Sequence, residues 1–246
     1  MDNKKAIVSR IMIFALNACL LYLVGRPFIS SLIYTHSDVG ESWSICIAEG
    51  IVLILTVVMA VVQRKDLPSY GLQKASYKGT LKDLIPLTVL SLMLIPYFFH
   101  VRLVDPLLPA ILDIIFIGIM EEFIFRGLIY RATEVIANEH AAIIVSSILF
   151  GLIHLTNLSG DSAWQFVLLQ VAFNAALGLG LGVLRAKSGS IFGGLLFHIF
   201  LDINGLFKGS IPKLERAHIV MYFVVGILIY VLYRVEKAKA GKKSVS

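Results

Sequence analysis

Apolar residues are gathered into long runs that alternate with short polar stretches along the whole chain. A helix needs about 20 apolar residues to cross a membrane. By that measure the pattern predicts eight membrane-spanning helices, of which the fifth and seventh are short. They cover roughly 7–25, 43–62, 81–101, 107–130, 141–157, 163–184, 190–206 and 217–233. The segment Phe28–Tyr34 either extends the first span beyond Pro27 or lies at the membrane interface. Strands are not expected, because these runs are far longer than the roughly ten residues of a transmembrane barrel strand.

Composition supports this interpretation. The chain has 246 residues, of which 58% are hydrophobic and 15% charged, and its mean hydropathy is +0.85. In soluble domains roughly half of the residues are apolar and about a quarter are charged. The sequence therefore predicts an all-α polytopic membrane protein. Residues 1–246 are expected to form a single integral membrane domain, with no room for a separate soluble one.

Lysine and arginine residues are concentrated in alternate loops. They occur at the N-terminus, in the loop 63–82, at 185–187 and in the C-terminal tail. The positive-inside rule then predicts eight spans with both termini in the cytoplasm. The loop 207–216 is an exception to this pattern. The net charge of +6 does not indicate a nucleic-acid partner, because no basic stripe is interleaved with exposed aromatic residues, so the lipid bilayer is the expected partner.

The fourth span carries two adjacent carboxylates, Glu121 and Glu122. An ionised group at the centre of a bilayer costs about 2.5–3.5 kcal/mol on insertion scales, and such groups mark functional sites by default. Glu122 and Arg126 are four residues apart, so they share a helical face and are expected to form an ion pair. Glu121 lies about 100° round the helix, which leaves it free to act as a base. The alternative is that both glutamates lie at the cytoplasmic interface.

Two later spans carry His154, His198 and Asp202. His198 and Asp202 are four residues apart and share a face. Each of these residues alone is also explained as a hydrogen-bonded structural group. Counting about 1.5 Å per residue places them and Glu121 in a middle band of the membrane. We therefore expect a polar cavity between the helices of the second half, opening toward the cytoplasm.

The sixth span has Asn174, Gly178 and Gly182 on one face. The glycine pair predicts close packing against another helix. Asn174 and Phe150 are candidates for contacting the reactive side chains and holding them in position. The sequence has no HExxH zinc helix, no GxSxG elbow and no phosphate-binding loop.

Three polar motifs occur in order on apolar spans, between about 120 and 202. They are Glu121-Glu122-x-x-x-Arg126, Phe150-x-x-x-His154 and His198-x-x-x-Asp202. This ordered set resembles the CPBP family, which contains the Rce1-type CAAX prenyl protease 2 and the bacteriocin-processing and immunity (Abi) membrane proteins. The resemblance implies an eight-helix intramembrane endopeptidase whose catalytic region is about 107–206, and it implies that the Glu122–Arg126 pair holds the site together.

The resemblance also implies roles for the other motif residues. Glu121 and His154 would activate the attacking water, and His198 with Asp202 would stabilise the oxyanion. The family pattern allows either asparagine or aspartate at the position of Asp202, and an ionised Asp202 would orient His198 rather than donate a hydrogen bond itself.

Two mechanisms stay open at this stage. In the first, which the resemblance favours, Glu121 is a general base and no cofactor is used. In the second, Glu121, His154 and His198 bind Zn²⁺, which would acidify a bound water. The ligand types alone fit both mechanisms.

Two further functions compete with proteolysis. The leading prediction is an endopeptidase that hydrolyses a membrane-associated peptide or protein, and the compact chain resembles the bacterial branch, which places it in a bacterial plasma membrane. The main alternative is a non-catalytic immunity or scaffold protein that binds a bacteriocin or a sensor kinase. A small transporter is the third, since polar groups at mid-depth also mark solute paths, but the sequence has no inverted repeat.

Overall fold

The chain folds as an all-α membrane protein. The computed structural model describes residues 2–62, 68–76, 102–159, 164–208 and 212–243. In chain order its α-helices are α1 (Asp2–Leu20), α2 (Arg26–His36), α3 (Glu41–Val62), α4 (Leu107–Glu122), α5 (Tyr130–Ile136), α6 (Glu139–Ile153), α7 (Trp164–Ser188), α8 (Phe192–Asp202) and α9 (Pro212–Lys243). Short 3₁₀ segments follow α6 and α8, at His154–Ser159 and Ile203–Leu206.

Four helices of the described ranges are long and apolar enough to cross a membrane. They are Lys5–His36, Glu41–Val62, Glu139–Leu158 and Trp164–Ser188. The first of them runs through α1 and α2 without a break, so Phe28–Tyr34 extends the first span rather than forming a separate interfacial segment. The predicted span 81–101 lies outside the described residues, and the count of eight spans stays a prediction.

Two π-helical segments interrupt the long helices. One, Leu21–Gly25, joins α1 to α2, and the other, Phe123–Ile129, joins α4 to α5. The first has a local cause: Pro27, at the start of α2, has no N–H to continue the helical ladder. In the second, the N–H of Tyr130 donates to the carbonyls of Phe125 and Gly127 rather than to that of Arg126. Such wide turns occur frequently at functional sites.

Close packing between α6 and α7 depends on glycine, as the sequence predicts. A Cβ at Gly178 would lie 2.9 Å from Ser147 Cα, and one at Gly182 would lie 3.0 Å from Ile143 Cγ2. Only a residue without a side chain lets the two backbones approach so closely. This contact fixes the height of α6 relative to α7, and both helices line the candidate site.

One end of the bundle gathers the basic segments, and we call it the basic end. It contains 68–76, 131–139, 185–190 and 233–239. Arg185 Nη2 donates to the Ser69 carbonyl at 2.9 Å, the Ser76 N–H to the Ser188 carbonyl at 3.0 Å, and Lys237 Nζ lies 3.1 Å from Glu139 Oε1. Lys187 Nζ lies 3.0 Å from Glu236 Oε2, and with this ion pair the bonds tie the four chain segments together.

The turn around Tyr70 at the basic end is packed into the bundle. Tyr70 is fully buried, and its ring makes edge contacts with Phe14 and Phe123 at centroid distances of 6.3 and 6.4 Å. A tyrosine buries a large apolar area, which offsets the ordering of this loop. The basic end is therefore filled with packed aromatic side chains.

The opposite end carries a short strand pair that the apolar pattern did not predict. Arg102–Leu103 pairs with Phe207–Lys208 in an antiparallel ladder of two residues. The N–H of Val104 adds a bond of 2.8 Å to the carbonyl of Leu206. This ladder only fastens the start of α4 to the chain after α8, so the fold class is unchanged.

Candidate active site

A cavity of about 1110 Å³ lies between α1–α2, α4, α6, α7 and α8. Its inner part is lined by Glu121 and His198 and its outer part by exposed Thr156, Asn157 and half-buried Gln170. Asn157 Nδ2 donates to Gln170 Oε1 at 2.9 Å, which joins the chain after α6 to α7 at this level. We call this side, opposite the basic end, the mouth end.

The cavity extends toward the mouth end and not toward the basic end. α6 and α8 run from the basic end to the mouth end, and they contribute only their last residues and those that follow, Ile153–Asn157 and His198–Asp202. α7 runs the other way and contributes positions from its first half, from Gln170 to Leu177. Among the described residues, aromatic side chains fill the lysine-rich side, and the expected opening on that side is not found there.

Glu121 lies at the bottom of the cavity and has two polar neighbours. The Tyr22 hydroxyl donates to Glu121 Oε1 at 2.8 Å, and His198 Nε2 lies 3.5 Å from Glu121 Oε2. The carboxylate is 6% exposed. Glu121 is thus not the free side chain that the helical wheel suggests, since Tyr22 from the first π-helical segment fixes one of its oxygens.

His198 is surrounded by three carboxylates. Its Nδ1 lies 3.3 Å from Glu122 Oε1, and its Nε2 lies 3.5 Å from both Glu121 Oε2 and Asp202 Oδ2. The contact with Asp202 follows from the four-residue spacing on α8. The contact with Glu122 requires Gly194, because a Cβ there would lie 2.9 Å from Glu122 Oε2.

The ion pair expected from the spacing of Glu122 and Arg126 is present. Arg126 Nη1 lies 3.1 Å from Glu122 Oε1, and both side chains are fully buried. The two groups are at ion-pair distance but are not aligned as a hydrogen bond. The guanidinium carbon lies 4.1 Å from the centre of the Phe150 ring, a cation–π contact. Arg185 Nε donates to the Arg126 carbonyl at 3.2 Å, which satisfies the group that the wide turn leaves without the N–H of Tyr130.

Phe150 is central to the packing around these groups. Its ring makes edge contacts with His154 and His198 at centroid distances of 5.5 and 5.4 Å, and it is itself fully buried. The aromatic ring therefore separates the two histidines while holding both in position.

His154 and Asn174 line the same cavity but do not join the cluster of charged groups. His154 begins the 3₁₀ segment after α6, and in the described part of the chain its one hydrogen bond joins Nδ1 to the Phe150 carbonyl at 3.0 Å. Asn174 is 7% exposed. The structure thus brings together Glu121, His198 and Asp202, and leaves His154 on another part of the wall.

The zinc alternative needs three ligands at one point. Within the described ranges, no three His, Cys, Asp or Glu side chains converge as a set that could hold a metal ion. Glu121 and His198 approach each other, whereas the Nδ1 of His154 is bonded to the Phe150 carbonyl and its ring lies on another part of the cavity wall. In this arrangement Glu121, His154 and His198 do not meet at one point, and the zinc mechanism stays an untested alternative.

Sequence reasoning missed a second charged group on the cavity wall. Arg26 lines the cavity, its Nε lies 3.3 Å from Glu49 Oε2, and its guanidinium carbon lies 5.4 Å from the centre of the Tyr22 ring. Glu49 is fully buried within the apolar helix α3. A single glutamate inside a long apolar run is the signal that could have revealed this pair, since an ionisable residue there needs a partner.

Comparison with known protein families agrees with the three motifs. Residues 103–204 match the Rce1-like family, described as type II CAAX prenyl endopeptidase. Residues 103–204 form an Rce1-like segment. It is about two-fifths of the chain and contains all three motifs, which confirms the family resemblance. No curated protein matched the sequence. The match supports a CAAX-type intramembrane protease at the level of the family, whereas Tyr22, Arg26 and Glu49 lie outside the Rce1-like segment.

Proposed function

We propose that the protein is an intramembrane endopeptidase that hydrolyses a peptide bond of a membrane-associated peptide or protein. The observation that carries this proposal is the meeting of Glu121, His198 and Asp202 at the bottom of one cavity. A cavity of about 1110 Å³ is large enough to admit an extended peptide segment. The Rce1-like segment around these residues supports the same activity.

Glu121 is the proposed general base. Tyr22 donates to one oxygen of the carboxylate, which leaves the other oxygen, near His198, to accept a proton from a water in the cavity. The water oxygen attacks the carbonyl carbon of the peptide bond, and the carbonyl becomes a tetrahedral oxyanion. Glu121 then passes the proton to the leaving amine nitrogen, so that one water is consumed for each bond broken.

His198 is the proposed oxyanion donor, and Asp202 and Glu122 are its positioning residues. With a proton on both nitrogens, the ring donates toward the carboxylates that surround it and has an N–H close to where negative charge develops. Arg126 neutralises Glu122, so that the histidine is not surrounded by three uncompensated charges. His154, across the Phe150 ring, is the candidate for contacting water or substrate on the far wall.

The test is proteolysis by purified protein in lipid, with a quenched-fluorescence peptide library as substrate. Wild type is compared with Glu121→Gln, which keeps the size of the side chain and removes the base. Glu134→Gln is the matched control, because Glu134 pairs with Arg131 on the surface at 2.6 Å, away from the cavity. We expect cleavage by wild type and Glu134→Gln, and none by Glu121→Gln.

A chelator arm separates the two mechanisms. Cleavage that persists in the presence of chelator supports the metal-free base, and cleavage lost with chelator and restored by Zn²⁺ supports the metal alternative. Absence of cleavage by any variant, together with a cellular phenotype that survives Glu121→Gln, would instead favour the immunity or scaffold function.

A further inference from the structure

We infer that substrate reaches the site from the extracytoplasmic side of the membrane. Part of this inference, the identity of what enters, rests on the proposed function. The route itself rests on two independent observations: the direction in which the cavity extends, and the end of the bundle at which the basic segments lie.

The first observation is the position of the lining residues along their helices. Going from the basic end to the mouth end, α8 contributes His198, Leu201 and Asp202, and α4 contributes Glu121 and then Ile117 and Ile114, in the same direction. The first helix, which starts at the basic end, contributes Tyr22, Leu23, Arg26 and Pro27 from its second half. In each of these helices, the residues that line the cavity lie at the level of Glu121 or nearer to the mouth end.

The second observation is that the basic side of Glu121 is packed. Behind Glu121 come the buried Glu122–Arg126 pair, then Phe123, and then Tyr70 from the 68–76 segment. Arg185 is 7% exposed and closes this side by bonding to carbonyls of both Arg126 and Ser69. A peptide could reach Glu121 from this side only by displacing a fully packed layer, whereas the described residues leave open volume on the mouth side.

Charge then fixes which side of the membrane each end faces. The basic end holds Lys74, Arg131, Lys187, Arg234 and Lys237, and Lys4, Lys5 and Arg10 lie in the first half of α1, which starts there. Among the described residues the mouth end holds fewer: Arg102 and Lys208 in the strand pair, and Lys213 and Arg216 at the start of α9. Since short cytoplasmic loops carry the excess of lysine and arginine, the basic end is cytoplasmic and the mouth is extracytoplasmic.

The chemistry of the mouth suits a peptide that is exposed to water. Thr156, Asn157 and Gln170 offer hydroxyl and amide groups there, and Arg26 offers a guanidinium on the opposite wall. Amide groups both donate to and accept from a peptide backbone. The substrate class is therefore an exported peptide, or the extracytoplasmic juxtamembrane segment of a membrane protein, and not a chain end presented from the cytoplasm.

The experiment is cysteine labelling in intact cells that express the full chain. Cys19 and Cys46, the two native cysteines, are first replaced by alanine. Single cysteines are then introduced as Asn157→Cys at the mouth, Ile117→Cys on the cavity wall and Lys239→Cys at the basic end. Ile148→Cys, on an exposed apolar face of α6 outside the cavity lining, controls for labelling through lipid. The reagent is a charged, membrane-impermeant maleimide.

We expect Asn157→Cys and Ile117→Cys to be labelled equally with and without permeabilisation, and Lys239→Cys to be labelled only after permeabilisation. Ile148→Cys should stay unlabelled in both conditions. Labelling of Asn157→Cys only after permeabilisation would overturn the extracytoplasmic route. Failure to label Ile117→Cys in either condition would overturn the cavity as a path to the site.

Labelling does not require catalysis, so this result is independent of whether the protein cleaves peptides. A second arm adds quenched peptide to sealed vesicles of known orientation. If peptide is cleaved when it is added at the mouth side but not at the basic side, both the route and the protease activity are supported. Outside labelling without any cleavage keeps the route and removes the protease, and cleavage only from the basic side overturns the route.

Discussion

Two of the ion pairs among the described residues differ in their surroundings. Glu122 and Arg126 lie on one helix, and neither side chain has any exposed surface. Arg26 and Glu49 lie on two different helices; the glutamate is fully buried, but 32% of the arginine side chain is exposed along the cavity. An isolated charge is costly where no water reaches it and tolerable where water does. Removing either member of the first pair alone should therefore destabilise the protein. In the second pair, removing the arginine should destabilise it more than removing the glutamate.

The largest effect is expected when the fully buried pair is broken. Arg126→Ala leaves Glu122 without a cation and should destabilise the protein by about 3–5 kcal/mol, as is usual for breaking a buried pair. We expect a lower folded yield and a lower thermal unfolding temperature in detergent than for Glu121→Ala. Glu122→Gln combined with Arg126→Met removes both charges and should recover much of the folded yield. Equal yield and equal thermal stability for Arg126→Ala and Glu121→Ala would contradict the comparison.

The two members of the Arg26–Glu49 pair should contribute unequally to stability. Arg26→Met leaves Glu49 alone in an apolar setting and should cost about 3 kcal/mol, whereas Glu49→Gln leaves Arg26 in contact with water and should cost about 1 kcal/mol or less. Thermal unfolding of the two variants beside wild type measures the difference. If both variants lose the same stability, exposure of Arg26 to water in the cavity does not distinguish this pair from Glu122–Arg126.

Helical periodicity was sufficient to predict contacts within one helix. The pairs Glu122–Arg126 and His198–Asp202 follow from the four-residue spacing, and both are present. The apolar runs likewise predicted the long helices, because about 20 residues are needed whatever packs around them.

Contacts between helices could not be predicted in this way. Tyr22 is 99 residues from Glu121, and it lies in a wide turn of the first helix that regular helical spacing does not predict. The relative height of two helices depends on glycine contacts such as Gly178 against Ser147, which a helical wheel does not contain. The burial of Tyr70 was missed for the same reason, since a turn-rich sequence specifies a turn but not what covers it.

A third, smaller effect is expected at Tyr22, whose side chain contacts both Arg26 and Glu121. Tyr22→Phe keeps the ring near Arg26 but removes the hydroxyl that donates to Glu121. Losing a hydrogen bond to a charged group should lower the stability of the protein by about 1.5–3 kcal/mol. Because the same bond positions the base, and a misplaced catalytic group can cost up to about a hundredfold in rate, kcat should also fall at least about tenfold. Steady-state kinetics on the cleaved peptide provide the measurement. An unchanged kcat would mean that this hydroxyl has no part in positioning the base.

The smallest effect is expected at Asp202, whose side chain is 34% exposed. Because water in the cavity can compensate a change of charge there, Asp202→Asn should alter stability by less than about 1 kcal/mol, in contrast to Arg126→Ala. Asparagine still offers an oxygen to the His198 N–H, so we expect cleavage to be retained, whereas Asp202→Leu should abolish it. Complete loss of cleavage in Asp202→Asn, with normal thermal stability, would show that the negative charge is what orients His198.

The two π-helical segments have a consequence for how this chain tolerates changes in length. A π turn holds one residue more than the neighbouring α-helical turns. Removing one residue other than Tyr22 from Leu21–Gly25 would turn the wide turn into a regular one, so that Arg26 would keep the face that it shares with Tyr22. The same deletion within α1 would instead rotate everything beyond it by about 100° and carry both side chains off the cavity wall. A lipid bilayer would hardly register either deletion, since each shortens the span by only about 1.5 Å, but only the deletion in the wide turn would keep the spatial relationship between the two sides of the cavity.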